Sequence, residues 1–367
     1  MKIGDLLVNA AYLGNRALTA IAVGATKVWE GVSKYIKFAD PAVEAICLAK
    51  WDTNGDGYLS KEEAKAVTSL GTVFRGNTEI TSFDEFIEFE NVISIAAHGF
   101  YGCKNLSSIK FPNGFESIGQ NGFYGCALES IIIPPNLKSI ATYAFFSCTK
   151  LTSIYIDSLS HLFSIQYANT AASPFYAVSE STQTNIYIDG LLLEGDVEIP
   201  SGTKMIPDRM FNRNINITNV SFPNSLITIG VAVFCGCTNL VSDIVIPQGV
   251  TSIANNLFRY CSKVASFSLH ESIVSIGGYA FSGCGSRDLF IVPSSVNQIG
   301  GAAFYNTPIK TFVCKATTPP TVSGNMYLTC EVLYVPDESV EAYKAATNWS
   351  TYGDKIKPLS EYQPTNE

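Results

Sequence analysis

The chain has 367 residues, of which 47% are hydrophobic and only 15% charged, with a formal net charge of -8 and three histidines. A sequence this apolar and this weakly charged is not a disordered one. Its scattered Lys and Arg form no basic patch of the kind nucleic acid requires, and it lacks the run of about 18 apolar residues that a membrane-spanning helix needs.

Residues 1–37 form the first segment. The strings AYLGNRAL and IAVGATKV share an apolar pair, a glycine, a short polar turn and an apolar return, which predicts strand–turn–strand. Asp5, Asn9, Asn15 and Arg16 interrupt the apolar stretch, so residues 1–31 do not read as a cleaved secretion signal. Tyr12-Leu13-Gly14 and the run Val23 to Trp29 resemble the attachment strings that open bacteriophage tail and head-fibre proteins. The resemblance implies a β-rich attachment module, contact with other virion proteins and a homotrimer. An ordinary N-terminal hairpin or arm is the alternative.

Residues 38–91 read as a helix–loop–helix followed by a cap. FADPAVEAICLAKW has apolar residues at helical spacing, and Pro41 suits a first turn. KEEAKAVTSL reads as the exit helix. Between them, DTNGDGYLSKEE matches the calcium loop D-x-[DN]-x-[DN]-G-x5-E. Asp52, Asn54 and Asp56 fill loop positions one, three and five. Gly57 makes the sharp turn, Tyr58 offers its backbone carbonyl, Ser60 sits at the water-bridged position, and Glu63 is the bidentate ligand. A hard cation takes oxygen donors, and this spacing wraps them around one point, so Ca2+ is the expected ion. The competing reading is a degenerate loop that keeps only the turn. The acidic stretch Asp84, Glu85, Glu88 and Glu90 reads as a solvated helix face.

Residues 92–322 are repetitive. An isoleucine is followed five residues later by a phenylalanine eight times: Ile95/Phe100, Ile118/Phe123, Ile140/Phe145, Ile206/Phe211, Ile229/Phe234, Ile253/Phe258, Ile276/Phe281 and Ile299/Phe304. Successive isoleucines lie 23, 22, 66, 23, 24, 23 and 23 residues apart. This period indicates an α/β solenoid of about 23-residue units, each too small to bury its own apolar residues without stacked neighbours. SI and LxxIxIP read as extended, and xxFxxC as a short helical or 3₁₀ turn. The prolines that follow, Pro112, Pro134, Pro223, Pro247 and Pro293, lack a ladder donor and end each strand. The 66-residue gap predicts one irregular unit with an insertion near 157–185. Six units place a cysteine three residues after the phenylalanine (Cys103, Cys126, Cys148, Cys237, Cys261 and Cys284). These read as a buried ladder of small apolar thiols, with disulfides between neighbouring rungs left open. Residues 323–360 break the period and read as a C-terminal cap with EVLYVP as the last strand; 361–367 read as a tail.

The units SIGQNGFYGC (117–126), SIGGYAFSGC (275–284) and QIGGAAFYNT (298–307) resemble BspA-type leucine-rich repeats, named from a bacterial surface adhesin. The closing LYVPDESVEAYKAATNWSTY resembles the end of such proteins from gut Bacteroides. The resemblance implies a right-handed leucine-rich-repeat solenoid and adhesion to proteins, cells or glycans.

No catalytic constellation accompanies the repeats. His98, His161 and His270 fall at unrelated repeat positions, and no HExxH, GxSxG or P-loop pattern occurs. Strand alternation points Lys110, Ile132, Tyr155, Ser221, Val245, Ser268, Ile291 and Val313 outward. That face suits a flat or curved partner, or is plain solvated sheet. The leading expectation is a non-enzymatic adhesin or decoration protein of a bacteriophage virion that binds a bacterial surface or gut glycan. The lack of an export signal favours it over the alternative, a cell-surface BspA-like adhesin for host protein or glycan. An accessory of a carbohydrate-active enzyme comes third.

Overall fold

The computed structural model describes residues 34–176 and 183–363. Nearly all of the 1–37 segment, part of the insertion and the last residues of the tail therefore lie outside the described residues. Two rows of short parallel strands run along the solenoid. The wider row includes Ser108–Ile109, Ser130–Ile132, Ser153–Ile156, Ile217–Ser221, Asp243–Val245, Ser266–Ser268, Arg287–Val292 and Pro308–Cys314. The narrower row is built from the two-residue SI segments, such as Ser94–Ile95, Ser117–Ile118 and Ser139–Ile140, in exact unit register. Alternation buries one residue of each pair: Ile131 and Ile154 face inward while Ser130 and Ile132 face out. Each strand-ending proline opens a turn, its carbonyl accepting from the N–H three residues on, as Pro134 does from Leu137 at 3.0 Å.

The FxxC segment is a string of tight turns closed by bonds three residues apart, as the Cys126 N–H makes to the Phe123 carbonyl at 3.1 Å, which agrees with the 3₁₀-turn alternative and not with a run of α-helix. The reason is a residue two before each phenylalanine in the left-handed region, among them Asn121, Tyr143, Asn256, Tyr279 and Ala302 at φ of 55 to 58°. A right-handed helix cannot run through such a residue. The turn brings neighbouring units close enough that four repeat isoleucines, Ile118, Ile229, Ile276 and Ile299, are followed by glycine. A Cβ on Gly119 would lie 2.7 Å from the backbone nitrogen of Ala97 in the preceding unit.

Inside, the repeat phenylalanines form two stacks. Phe74, Phe100, Phe123 and Phe145 lie 5.0, 5.3 and 5.6 Å apart with nearly parallel rings. Phe211, Phe234, Phe258, Phe281 and Phe304 continue at 5.4 to 6.1 Å. Phe74 is an extra rung that precedes the expected start of the repeats at 92, unmarked because no isoleucine stands five residues before it.

The cysteines are not inert fillers. All ten are buried and unbridged, and burial pushes the ladder thiols upward, that of Cys103 to about 11 and that of Cys148 to about 12. Each ladder thiol donates to the backbone carbonyl of a phenylalanine in the preceding unit: Cys126 to Phe100, Cys148 to Phe123, Cys261 to Phe234, Cys284 to Phe258, at 3.0 to 3.2 Å. Thr307 replaces the thiol in the last unit and makes the same bond, from Oγ1 to Phe281, at 2.6 Å. The position therefore selects a small buried donor.

The N-terminal helices are α1 (Pro41–Trp51) and α2 (Lys61–Ala66). Asp40 caps α1 through one carboxylate oxygen and with the other accepts from Thr81 at 2.6 Å and Ser82 at 3.2 Å, tying the helix to the first rung. The acidic stretch is a fastening more than a solvated face. Glu88 pairs with Lys61 at 3.0 Å, Glu90 pairs with Lys65 at 2.7 Å, and Glu85 accepts from the N–H of Ala39 at 2.9 Å.

The irregular unit carries α3 (Leu159–Ser164) between its strands, and its narrow strand is Gln166–Tyr167. The chain then makes a hairpin, Asn185–Ile188 against Leu191–Leu192, around Asp189 and Gly190 at φ 48 and 79°, the left-handed pair of a two-residue Asp-Gly turn. At the other end EVLYVP is not the last strand. Thr329–Val335 is followed by α4 (Val340–Ala345) and then by Ile356–Pro358, which pairs parallel to it.

Candidate functional site

Three regions carry candidate chemistry: the 52–63 loop, the outer face of the wide sheet, and the turn face. The loop keeps the fold its sequence predicts. Asp52 accepts from the N–H of Gly55 at 2.8 Å and Gly57 at 2.9 Å; Asn54 accepts from Asp56 and Asp56 from Tyr58, at 2.8 and 3.0 Å. Gly57 has φ +82°, the left-handed turn expected of it. Ser60 and Glu63 form a reciprocal capping box on α2. Glu63 spans the loop: Oε2 accepts from Ser60, and Oε1 accepts from Thr53 N and Oγ1, both at 2.8 Å, and from Asn54 N. The Ser60 N–H and the Thr53 donors hold the Glu63 carboxyl down at about 2. Leu59 is buried, and its carbonyl accepts from Ile36 N at 2.8 Å, bracing the loop. The Tyr58 side chain lies in solvent, 5.1 Å from the Tyr35 ring. Among the described residues no three His, Cys, Asp or Glu side chains are placed together to hold a metal. The donor chemistry suits a hard cation, but as placed each carboxylate accepts from the loop's own backbone.

The outer sheet face is weakly polar, as its alternation implies. Asp84 pairs with Lys110 at 3.0 Å, and stacked Tyr155 and Tyr187, at 4.5 Å, are its aromatic feature. Val313 departs from expectation: it is buried, held in register between the larger Ile291 and Tyr334. The histidines have structural partners. His98 meets Asn121 at 3.2 Å, His161 meets Asp157 at 2.8 Å, and His270 meets the Pro247 carbonyl at 2.9 Å.

The turn face is the region that reading strand alternation misses. Tyr101, Tyr124, Phe146 and Tyr305 each follow a repeat phenylalanine and reach this face, whereas Asn212, Cys235 and Ser282 at the same position are buried. Tyr101, Tyr124 and Phe146 stack at 4.5 and 5.1 Å, and Arg75 lies 5.6 Å over Tyr101. Tyr176 extends the row at 5.6 Å. Farther along, Arg259 lies between Tyr260 and Tyr279 at 4.7 and 4.8 Å, and Tyr305 meets Tyr327 at 5.6 Å, edge to face. The signal was present in FYGC, FYGC and FYNT, where tyrosine follows phenylalanine.

The model of the BspA-type leucine-rich repeat region matches residues 72–186 and 197–332, in six copies. The chain belongs to the BspA-type leucine-rich repeat family. Its start at 72 agrees with the Phe74 rung, and the gap between the matched stretches falls on the hairpin. The family is one of surface-type binding repeats, not a catalytic one. Similar solved structures include a leucine-rich repeat protein from Bacteroides ovatus, 20% identical over 73% of this chain and 75% of that chain, TM-score 0.35. A leucine-rich cell surface protein from Faecalibacterium prausnitzii is 25% identical over 61% and 60%, TM-score 0.39. The pneumococcal vaccine antigen PcpA is 17% identical over 73% and 76%, TM-score 0.38. No curated protein matches this BspA-type chain. No helix among its described residues is long and apolar enough to cross a membrane.

Proposed function

We propose that this BspA-type chain is a non-enzymatic adhesin displayed at a bacterial cell surface, where its solenoid binds host protein or glycan. One observation supports this above the others: the repeats commit their interior residues to stacking and leave two long, weakly charged faces free for contact. The virion reading rests on the strings within residues 1–37, nearly all outside the described residues, and family membership adds nothing to it. The test is surface display and binding. Antibody against the chain should decorate intact bacteria, and the purified protein should bind mucin or matrix protein saturably. Labelling confined to phage particles, or no saturable binding to any of these surfaces, overturns the proposal.

We further propose, from the loop sequence, that the 52–63 loop binds a calcium ion, with Asp52, Asn54, Asp56, the Tyr58 carbonyl, Ser60 and Glu63 as its oxygen donors. Bound there, the ion would clip α1 to α2 and stiffen the polar end of the solenoid. Removing metal with EDTA should lower the melting temperature, and Asp52→Ala should abolish that sensitivity. No shift with EDTA, together with no calcium detected by elemental analysis, defeats the assignment.

A further inference from the structure

The clearest recess of the turn face lies where the last repeat meets the C-terminal cap. It is an open cleft of about 410 Å³, bounded by Tyr305, Asn306, Asn325, Tyr327, Thr351 and Tyr352, within the size range of small-ligand clefts. None of the residues that line it is Lys, Arg, His, Asp or Glu. Tyr305 and Tyr327 are 51% and 53% exposed, their rings 5.6 Å apart at 81°, so a ring face is available beside a ring edge. Neither phenol makes a hydrogen bond among the described residues. Asn325 uses Oδ1 to accept from Tyr327 N at 2.8 Å, which leaves its Nδ2 donors for a ligand. Thr351 donates to the Asn348 carbonyl at 3.2 Å and keeps its acceptor lone pairs. Half-buried Tyr352 accepts from Leu328 N at 3.2 Å and is held in place by it.

The backbone adds an independent observation. Asn306 and Tyr327 lie in the left-handed region, at φ 56 and 50°. At the position of Asn306, four other units carry glycine: Gly102, Gly125, Gly236 and Gly283. Tyr327, at a different position of its unit, also holds a left-handed conformation that glycine would adopt at lower cost. Here that strain displays an exposed phenol and not a buried contact.

We infer that this cleft is a binding site for a neutral sugar of a surface glycan, a proposal that rests on the adhesive reading above and specifies its ligand. A sugar ring offers an apolar C–H face and a rim of hydroxyls. Tyr305 and Tyr327 supply the flat amphipathic surface, and the Asn306 and Asn325 amides with Thr351 supply donors and acceptors for the rim. The absence of lining charge gives a sialic or uronic acid no partner. A peptide adding as a strand is disfavoured because Thr329–Val335 is paired along one side by Pro308–Cys314. On the other side Ile356–Pro358 pairs with Leu333–Val335, Lys355 Nζ donates to the Cys330 carbonyl at 2.7 Å, and the Tyr352 hydroxyl accepts from Leu328 N at 3.2 Å.

The full chain should be tested on an array of neutral and acidic oligosaccharides, alongside the Tyr305→Ala/Tyr327→Ala double variant and Tyr327→Gly. The wild type should bind neutral glycans and prefer them to sialylated ones. The double variant should lose affinity by about tenfold or more, the scale expected when aromatic contacts are removed. Tyr327→Gly should weaken binding while leaving the melting temperature unchanged or higher, because it relieves the backbone. A purely structural tyrosine would lower it. Binding that survives the double variant, a preference for acidic glycans, or no neutral glycan bound overturns the inference. Adhesion to mucin or matrix protein, scored on the same preparations, separates the two claims: if adhesion and array binding both persist in the double variant, the adhesive reading stands and the cleft falls, and if neither is seen in the wild type, both fall.

Discussion

The two phenylalanine stacks and the unit that separates them follow opposite rules. Within a stack, each rung repeats the same bargain: a ring against the next ring, and a thiol or hydroxyl against the preceding carbonyl. Between Phe145 and Phe211 the rung position, five residues after Tyr167, holds Ala172. In the unit that resumes the stack, Asn214 stands where the thiol belongs, with a buried Nδ2 that finds no partner among the described residues. Asp208, also buried there, accepts from Val231 N at 2.7 Å. Because stability in a solenoid is a sum of unit and neighbour terms, this junction is where one rule stops and the other must compensate.

The largest expected effect lies inside a stack. Phe258→Ala should cost about 3–5 kcal/mol in denaturant unfolding, as core phenylalanine truncations do. Phe211→Ala should cost less, since it has one parallel neighbour, Phe234, and only a tilted contact with Phe163 at 6.3 Å. Equal losses would erase the distinction between stack interior and junction.

Next comes the thiol ladder. Cys261→Ala removes the thiol's bond to the Phe234 carbonyl, which keeps its bond from Cys237 N at 3.1 Å, and should cost about 1 kcal/mol. Cys261→Thr should recover part of that, as Thr307 does naturally. Asn214→Ala at the junction should cost less than Cys261→Ala, because the loss of the Oδ1 acceptor of Asn216 N, at 3.0 Å, is offset by removal of a buried Nδ2 that has no partner among the described residues. If both alanine variants lose the same amount in parallel melts, the donor role assigned to the cysteines is wrong.

A smaller effect should appear at Ser147, which takes the left-handed position that glycine holds in four other units, at φ 61°. Ser147→Gly should stabilise by up to about 1 kcal/mol, strain relief outweighing the added chain entropy. A drop in melting temperature would show that the serine side chain, not the backbone, decides this position.

The smallest effect concerns pH. Burial raises the Asp208 carboxyl above its ordinary value, against the lowering influence of the Val231 and Thr170 hydrogen bonds. A raised carboxyl favours the protonated folded state. Its contribution is therefore present below about pH 4, the unfolded value, and is lost as pH rises through the folded value. Asp208→Asn should flatten that decline when melting temperature is followed upward from about pH 4. A curve unchanged by the substitution would remove Asp208 as its source.

Much of this was legible in the residues. The isoleucine–phenylalanine period defined unit length, and strand alternation predicted which side of each strand is buried. Position along the motif also located the turn of the 52–63 loop. What alternation could not reach was the turn face, because turns have no period-two rule to separate inside from outside. Tyr101, Tyr124 and Tyr305 are adjacent to buried phenylalanines in sequence yet point to the opposite environment. Val313 shows the limit from the other side: its position is outward by alternation, but large neighbours on both strands cover it.

The sequence by itself determined the repeat, the core-facing residues and the strand ends, since all three follow from local periodicity and from proline's missing donor. Only the tertiary structure decided that the cysteines act as donors, that the acidic stretch fastens the N-terminal helices, and that Tyr305 meets Tyr327 across a cleft. Those pairings join residues from 22 positions apart, as Tyr305 and Tyr327 are, to 46, as Ala39 and Glu85 are, at distances that stacking of units sets and that no local pattern encodes.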